Sequence, residues 1–280
     1  MKRRVAATLR QTVTGSTEPR PAQQHDKSDL GWFGPGSVVW RVHAEVGSMM
    51  VGGFSSLFLQ TLHPGAMAGV DQHSNWREDP IGRLHRTANF LGVTTYGSSA
   101  EAERIVGVVR RIHSRVVGVR HDGSPYRAND PDLLRWVHVA EVWQFLRSYQ
   151  RYSGRPLSRT NRDRYLDEVA VVGEALGATD VPRSVRQVER YLADVRPELV
   201  ATDAALATVH DLLRPVRDPV ERAGREVIMR AAVGMLPDWA RRMLGLQSRF
   251  PLDDQMAQAA ATALSLTFRW ALGQPELPAA

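Results

Sequence analysis

The chain has 280 residues, of which 43% are hydrophobic and 24% are charged, so it can bury a sizeable core and is neither disordered nor fibrous. It contains no cysteine, which excludes disulfides, thiolate-ligated haem, iron–sulfur clusters and cysteine nucleophiles. The net charge of +6 comes almost wholly from arginines spread among acidic residues, so we expect solvated helix faces and no nucleic-acid partner.

The chain is expected to begin with a polar tail. Residues 1–30 lack hydrophobic periodicity, which predicts a disordered tail followed by one helical domain over residues 31–280. The basic residues at the start are not followed by a sustained apolar stretch, so we expect no export signal and a cytoplasmic location. Residues 46–70 carry no Asp, Glu, Lys or Arg, but glycines, hydroxyl groups and Pro64 dilute their hydrophobicity. This segment therefore predicts a buried helix and no stable transmembrane span.

The first half of the domain is rich in helix-start signals. Ser37 can cap a helix that runs to about Leu62, because Pro64 prevents simple continuation. A short helix is expected over residues 65–73. Asp79 as cap and Pro80 at the first helical position predict another helix that ends near residue 96.

The later elements follow the same pattern. Ser98 or Ser99 begins a helix with an apolar stripe, Asp130 opens a helix that should be central, and further helices begin at Ser158 and Ser184. The stripe consists of Ile105, Val108, Val109, Ile112, Val116 and Val117. From residue 203 onward, amphipathic segments alternate with prolines. Since no run alternates like a strand, we predict an all-α protein with a single multi-helix domain.

Several catalytic classes are excluded by missing motifs. The chain has no glycine-rich dinucleotide motif, no phosphate-binding loop, no nucleophile elbow and no H-E-x-x-H. It also lacks any Glu-x-x-His pair, which argues against a ferritin-like di-iron bundle. Oxidative chemistry through histidine would therefore need haem or a mononuclear metal site.

Four histidines lie in otherwise apolar helical stretches, where an imidazole needs a partner or a metal for its nitrogens. They are His43, His63, His113 and His138. Each alone could be a hydrogen-bonded core residue, but four together favour a helix-lined pocket with an axial imidazole on haem. Asp71 and His73 offer a competing two-His, one-carboxylate iron site, although residues two apart on a helix point in different directions.

Arg83 and Thr87 are four residues apart and therefore share a helix face. A guanidinium there could bind a carboxylate such as a haem propionate, while the hydroxyl could donate a hydrogen bond inside the pocket. The alternative is an exposed charged helix face, and periodicity does not separate the two interpretations.

Four blocks, taken in order, resemble the MpaB-like oxygenase family, to which rubber oxygenase belongs. They are Leu62-His63-Pro64 through Gly69-Val70-Asp71-Gln72-His73-Ser74, Arg83-x-x-Arg86-Thr87, Ile112-His113-Ser114-Arg115-Val116-Val117-Gly118, and Asp130-Pro131-Asp132-Leu133-Leu134-Arg135-Trp136-Val137-His138. Similar stretches continue at 155–165 and 182–191, so the likeness covers roughly residues 32–250.

The resemblance implies an all-helical fold with a globin-like core, a b-type haem and chemistry driven by dioxygen. It implies His113 as the proximal iron ligand and Arg83 and Thr87 as residues near the haem. Asp71, with Glu78 behind it, is the nearest candidate for the acidic base of rubber-cleaving members.

Other residues are candidates for the cofactor pocket. His63 and His138 remain further cofactor-binding candidates. Arg86 replaces a lysine that can occupy the distal iron position in rubber oxygenase, and its high pKa makes it a poor iron ligand. We therefore expect the iron to be open to water or ligated by another side chain.

The functional prediction is a haem b-dependent oxygenase with dioxygen as co-substrate and a small hydrophobic substrate; a homodimer is also compatible with the sequence. Met49, Met50, Phe54 and Phe58 could line the substrate cavity or simply pack in the core. Alternatives are a non-catalytic haem-binding or sensing protein, a mononuclear non-haem iron enzyme, and a helical interaction or membrane-associated module.

Overall fold

The computed structural model describes residues 29–216, 218–247 and 251–272, except for the side chains of 81, 219–221, 251–254 and 257. Within these ranges the chain forms twelve α-helices, one short 3-10 turn and one two-stranded antiparallel sheet, which confirms the all-α prediction. Nearly all of the expected polar tail lies outside the described residues. A globin-like core stays a prediction.

The helices, numbered in chain order, are α1 (Val38–His43), α2 (Val46–Gln60), α3 (Pro64–His73), α4 (Pro80–Tyr96), α5 (Ser99–His113), α6 (Pro131–Tyr152), α7 (Arg159–Leu176), α8 (Val185–Val195), α9 (Asp203–Leu213), α10 (Pro219–Met235), α11 (Asp238–Met243) and α12 (Pro251–Leu272). The strands are β1 (Val117–Val119) and β2 (Pro125–Arg127).

The predicted helix starts are confirmed because their caps are local. The Ser37 hydroxyl accepts a hydrogen bond from the Trp40 amide, and the Asp79 carboxylate accepts one from the Gly82 amide. Ser98 caps α5 in a reciprocal capping box with Glu101. Asp130, Ser158 and Ser184 likewise cap α6, α7 and α8.

The single helix predicted from Ser37 to Leu62 is wrong, since the chain breaks it at Ala44 and Glu45 into α1 and α2. Glu45 leaves the helical conformation with ψ of 75°, and its carboxylate pairs with Arg269 of α12 at 2.9 Å. The break is therefore accompanied by a contact to a residue more than two hundred positions away, which no local pattern reveals.

The prediction that the chain contains no strands is also wrong. The helix α5 ends at His113, and Val117 pairs with Arg127 and Gly118 with Tyr126 in a short antiparallel hairpin. The Asp122-Gly123 turn, with Gly123 at φ 82°, closes it. The apolar stripe of α5 thus stops short of Val117, which belongs to β1.

The core centres on α2 and α6, which pack along each other. A β-carbon on Gly52 would lie 2.8 Å from the carbonyl oxygen of Gln144, so only glycine allows this approach. The Gln144 side chain donates to the Ser55 hydroxyl at 2.9 Å, and the Ser148 hydroxyl donates to the Ser48 carbonyl at 2.7 Å. The uncharged segment is therefore a buried helix, and over the described ranges every helix is too short or too polar to cross a bilayer.

Candidate functional site

Helices α4 and α5 carry the residues that the sequence singled out and are joined by Gly97 and Ser98. Arg83 precedes Gly97 by 14 residues and His113 follows Ser98 by 15 residues. At about 1.5 Å per helical residue, each lies roughly 21–23 Å along its helix from the connection. Arg83 therefore lies near the start of α4 and His113 at the end of α5, both far from the connection.

The C-terminal end of α3 contacts both of these regions. The Ser74 hydroxyl accepts a hydrogen bond from Arg83 Nη1 at 3.0 Å. The preceding residue, His73, donates from Nε2 to the carbonyl of Val117 at 3.0 Å, and Val117 follows His113 by four residues. Arg83 and the segment after His113 are thus held against the same short stretch of chain.

Arg83 is a half-buried cation without a counter-charge. Burial lowers the pKa of its guanidinium, and the neighbouring positive charge of Arg86 lowers it further. Among the described residues no carboxylate pairs with Arg83, whereas Arg86 is exposed and pairs with Asp79 at 3.2 Å. An anionic group could therefore bind at Arg83 without displacing an existing ion pair.

Thr87 and Asp71 are both exposed. Thr87 lies one turn after Arg83 on the face that the spacing predicts. Asp71 forms an ion pair with Arg77 at 2.9 Å, and Arg77 also contacts Asp211 at 3.3 Å. A solvated, paired carboxylate is a poor match for a base that acts inside an apolar pocket.

His113 is a half-buried imidazole at the last position of α5. Burial lowers its pKa, which keeps the ring neutral at pH 7, and neither ring nitrogen has a hydrogen-bond partner among the described residues. At helical spacing His113 shares its face with the buried Ala102 and Val106, whereas the exposed Val108 and Ile112 lie roughly 100–140° further around the helix axis. A neutral imidazole without a hydrogen-bond partner is what an iron porphyrin needs from a protein as an axial ligand.

The other buried histidines are placed differently. His63 uses Nδ1 to accept from the Gly65 amide at 3.1 Å and so caps α3. His43 is hydrogen-bonded at both ring nitrogens, to Thr95 and Tyr165. Desolvation lowers the pKa of His63 to about 4 and that of His43 to about 3. Both rings are therefore neutral members of the protein's own hydrogen-bond network.

His138 is buried in the core and packs directly on α7. A β-carbon on Gly173 would lie 2.8 Å from His138 Cγ, so the ring fills the space that glycine leaves open. Its Nε2 finds no hydrogen-bond partner in the described part of the chain, and desolvation lowers the pKa of the ring to about 4. This tight packing leaves no room for a porphyrin on the Gly173 side of the ring.

The mononuclear iron alternative receives no support from the geometry. The Asp71 carboxylate faces Arg77, while His73 is bound to the backbone of β1. Across the described ranges, no group of three or more His, Asp or Glu side chains is placed to hold a metal ion. The structure therefore does not bring these two residues together with a third ligand.

The suggested cavity residues belong to the packed core or its margin. Phe58 is fully buried, and Met49, Met50 and Phe54 are partly buried against the main hydrophobic cluster. Their placement is consistent with plain packing, as the sequence already allowed.

Comparison with protein families supplies the missing identification. Residues 40–270 match the family model described as ER-bound oxygenase mpaB/B'/Rubber oxygenase, catalytic domain. The chain belongs to this family. Neither the curated proteins nor the solved structures gave a match to the chain.

Membership makes the chain an oxygenase of the mpaB/rubber oxygenase family, and an oxygenase uses dioxygen. The match runs from within α1 to near the end of α12, so it covers the whole helical body. The donor set fits an iron porphyrin, because a neutral imidazole without a partner and a cation without a counter-charge among the described residues lie on two adjacent helices.

One residue that the sequence reasoning missed is Glu141. It lies in the middle of α6, in the run from Trp136 to Leu146, where His138 and Gln144 are the other polar residues. Desolvation raises its pKa to about 7. A single acid in such a run was the available signal, because a charged residue is rarely placed in a buried helix without a partner.

Proposed function

We propose that the protein is a haem b-dependent oxygenase that uses dioxygen to oxidise a small hydrophobic substrate. The observation that carries this proposal is the state of His113, a half-buried, neutral imidazole without a hydrogen-bond partner among the described residues. Family membership supports the oxygenase chemistry, and the donor set supports the porphyrin.

Each residue of the site has a distinct role in this proposal. His113 would hold the haem iron through a ring nitrogen, and Arg83 would pair with a propionate. The bound haem would supply the activation of dioxygen, which protein side chains cannot perform. Thr87, one turn after Arg83, offers a hydroxyl donor.

The first prediction concerns the visible spectrum. Protein purified with haem, or reconstituted with hemin, should show a Soret band that His113→Ala abolishes or shifts strongly. His121→Ala is the matched control, because His121 is an exposed imidazole eight residues further along the chain.

Two results would contradict the assignment at different levels. A preparation that stays colourless with hemin would reject the haem proposal. An unchanged spectrum in His113→Ala, with loss of the Soret band in His138→Ala instead, would support haem binding but reject His113 as the iron ligand.

Oxygen consumption that depends on an added substrate distinguishes an oxygenase from a protein that merely stores or senses haem.

A further inference from the structure

The last helix, α12, packs one side against the protein and exposes an apolar side to solvent. Its buried residues are Ala261, Ser265, Phe268 and Ala271, and the helix contacts α2, α6 and α10. In an ordinary surface helix, charged and polar residues occupy the side that faces away from the core. Among the described side chains of α12, however, no exposed one is charged.

Six exposed residues of α12 recur at intervals of three and four and share one face. We call this face the outer stripe: Met256, Ala259, Ala263, Leu266, Thr267 and Trp270. At about 100° of rotation per residue, the six positions fall within a sector of roughly 100°. Met256, Leu266 and Trp270 keep 72%, 47% and 49% of their surface exposed. A contiguous surface of large apolar side chains marks an interaction site.

The surroundings of the outer stripe argue against several occupants. A helix that lies on an anionic membrane carries Lys and Arg on its polar side. Arg269 is the only Lys or Arg in the sequence of α12, and its guanidinium pairs with Glu45 at 2.9 Å. Residues 273–280, which follow the helix, contain one large apolar residue, Leu277, and so offer little apolar surface for a stripe about 21 Å long.

The outer stripe is complementary to itself. Met256 lies seven residues before Ala263, and Trp270 lies seven residues after it. A two-fold axis at Ala263 would therefore place Met256 of one copy opposite Trp270 of the second copy, and a thioether packs well against an indole ring. The small Ala259 and Ala263 would let two antiparallel helices approach, while the large residues at both ends interlock.

The charge of the chain favours the same contact. Each copy carries a net charge of +6, so two copies repel each other at most surfaces. The outer stripe adds no local repulsion, because it contains no charged residue.

We propose that the outer stripe binds a second copy of this chain, with the two α12 helices packed antiparallel about Ala263. At a helix width of about 10 Å the stripe covers roughly 200 Å², compared with about 800 Å² per partner in a standard stable interface. We therefore expect a reversible dimer that dissociates on dilution. The inference does not depend on the proposed function, since the stripe lies on α12 and the proposed haem site on α4 and α5.

Sedimentation of the full chain over a range of concentrations tests the dimer. The mass should rise from 31.2 kDa towards twice that value as the concentration increases. Leu266→Asp should weaken the dimer by about tenfold or more, because it places a charge inside the contact. Leu206→Asp is the matched control: Leu206 on α9 is 40% exposed and lies outside the stripe, so this change should leave the dimer intact.

Cross-linking tests the position of the axis. The chain contains no cysteine, so one introduced thiol can form a disulfide only with a second copy. Ala263→Cys should form a disulfide-linked dimer under mild oxidation, because the axis brings the two positions together. Ala100→Cys, at an exposed position of α5, is the control and should remain monomeric. Equal cross-linking of both variants would indicate random collision and reject the contact at Ala263.

Three results would overturn the inference. The first is a chain that stays monomeric at the highest concentration it tolerates, and the second is a dimer that Leu266→Asp leaves intact. The third is a monomer that floats with phosphatidylcholine vesicles and no longer does so as Leu266→Asp, which would assign the outer stripe to a membrane. Circular dichroism checks folding, and Met256→Asp, at the more exposed position, replaces Leu266→Asp if that variant fails to fold.

Discussion

Three imidazoles with lowered pKa values make the stability of the fold depend on pH. His43, His63 and His138 have pKa values of about 3, 4 and 4 in the fold, against 6.5 for an unperturbed ring, chiefly because burial penalises the charged form. At a pH between 6.5 and the lower pKa values of the folded state, these rings bind protons in the unfolded chain but not in the folded chain. Acid therefore favours the unfolded state.

The pH dependence of unfolding should reflect this difference. We expect the free energy of unfolding to fall as the pH drops from 6.5 to 4, by an amount on the order of 2 kcal/mol for each buried ring. The contribution of Glu141 to the free energy of unfolding has the opposite sign. Because its pKa is raised to about 7 in the fold, the folded state becomes less stable as the pH rises from 4.5 to 7. Urea denaturation at several pH values measures the sum, and a flat profile below pH 6.5 would contradict the burial of these rings.

Arg83 is the cation that we assign to an anionic group of the cofactor. Arg83→Met removes the charge and keeps much of the apolar stem, so we expect hemin to bind at least tenfold more weakly, with little change in the melting temperature of the haem-free protein. Arg86→Met is the control, since its exposed ion pair with Asp79 contributes little. An equal loss of hemin affinity in Arg83→Met and Arg86→Met would indicate a general effect of charge rather than a specific contact of Arg83.

At the scale of elements, α3 acts as a clamp on the hairpin that follows His113. Gln72 donates to the Val119 carbonyl at 2.6 Å and His73 to the Val117 carbonyl at 3.0 Å, so two consecutive side chains hold one edge of β1. Between these carbonyls lies Gly118, where a β-carbon would be 2.2 Å from the Gln72 side-chain oxygen. A larger residue at this position would therefore have to displace the Gln72 side chain and press on the Tyr126 ring, whose Cε1 would lie 2.9 Å away.

Gly118→Ala tests this clamp. The added methyl group should push Gln72 away and lower the free energy of unfolding by roughly 1–3 kcal/mol. Because β1 follows His113 directly, we also expect faster loss of haem to a scavenger protein. Gly36→Ala is the control, since a β-carbon there meets no atom within 4 Å. If Gly118→Ala destabilises the fold but leaves the rate of haem loss unchanged, the contact between α3 and β1 does not support the haem site.

At the scale of the whole molecule, the core depends on close approach between helices rather than on bulky side chains alone. Gly52 allows α2 to touch α6, and at Gly47 a β-carbon would lie 2.6 Å from the Ser265 Cα on α12. Dense packing of this kind holds the helices in one arrangement. The packed core therefore provides a rigid base for the site on α4 and α5.

Much of this molecule could be read from its sequence because the signals involved are local. Ser37, Asp79, Ser98 and Asp130 each cap a helix through an amide two or three residues away, and such a contact is visible within one turn. The Arg83 and Thr87 spacing likewise follows from helix geometry. The four sequence blocks that resemble the family are likewise recognised from residues close together in the chain.

Long-range contacts account for the rest. The break at Glu45 goes with an ion pair to Arg269. The four histidines look alike in sequence, but within the described ranges the ring nitrogens of His43 and Nδ1 of His63 are hydrogen-bonded, whereas those of His113 are not. The raised pKa of Glu141 likewise depends on its surroundings in the fold, because desolvation by distant parts of the chain causes it. Helix boundaries depend on neighbours along the chain, whereas the availability of a side chain for chemistry depends on which distant atoms surround it.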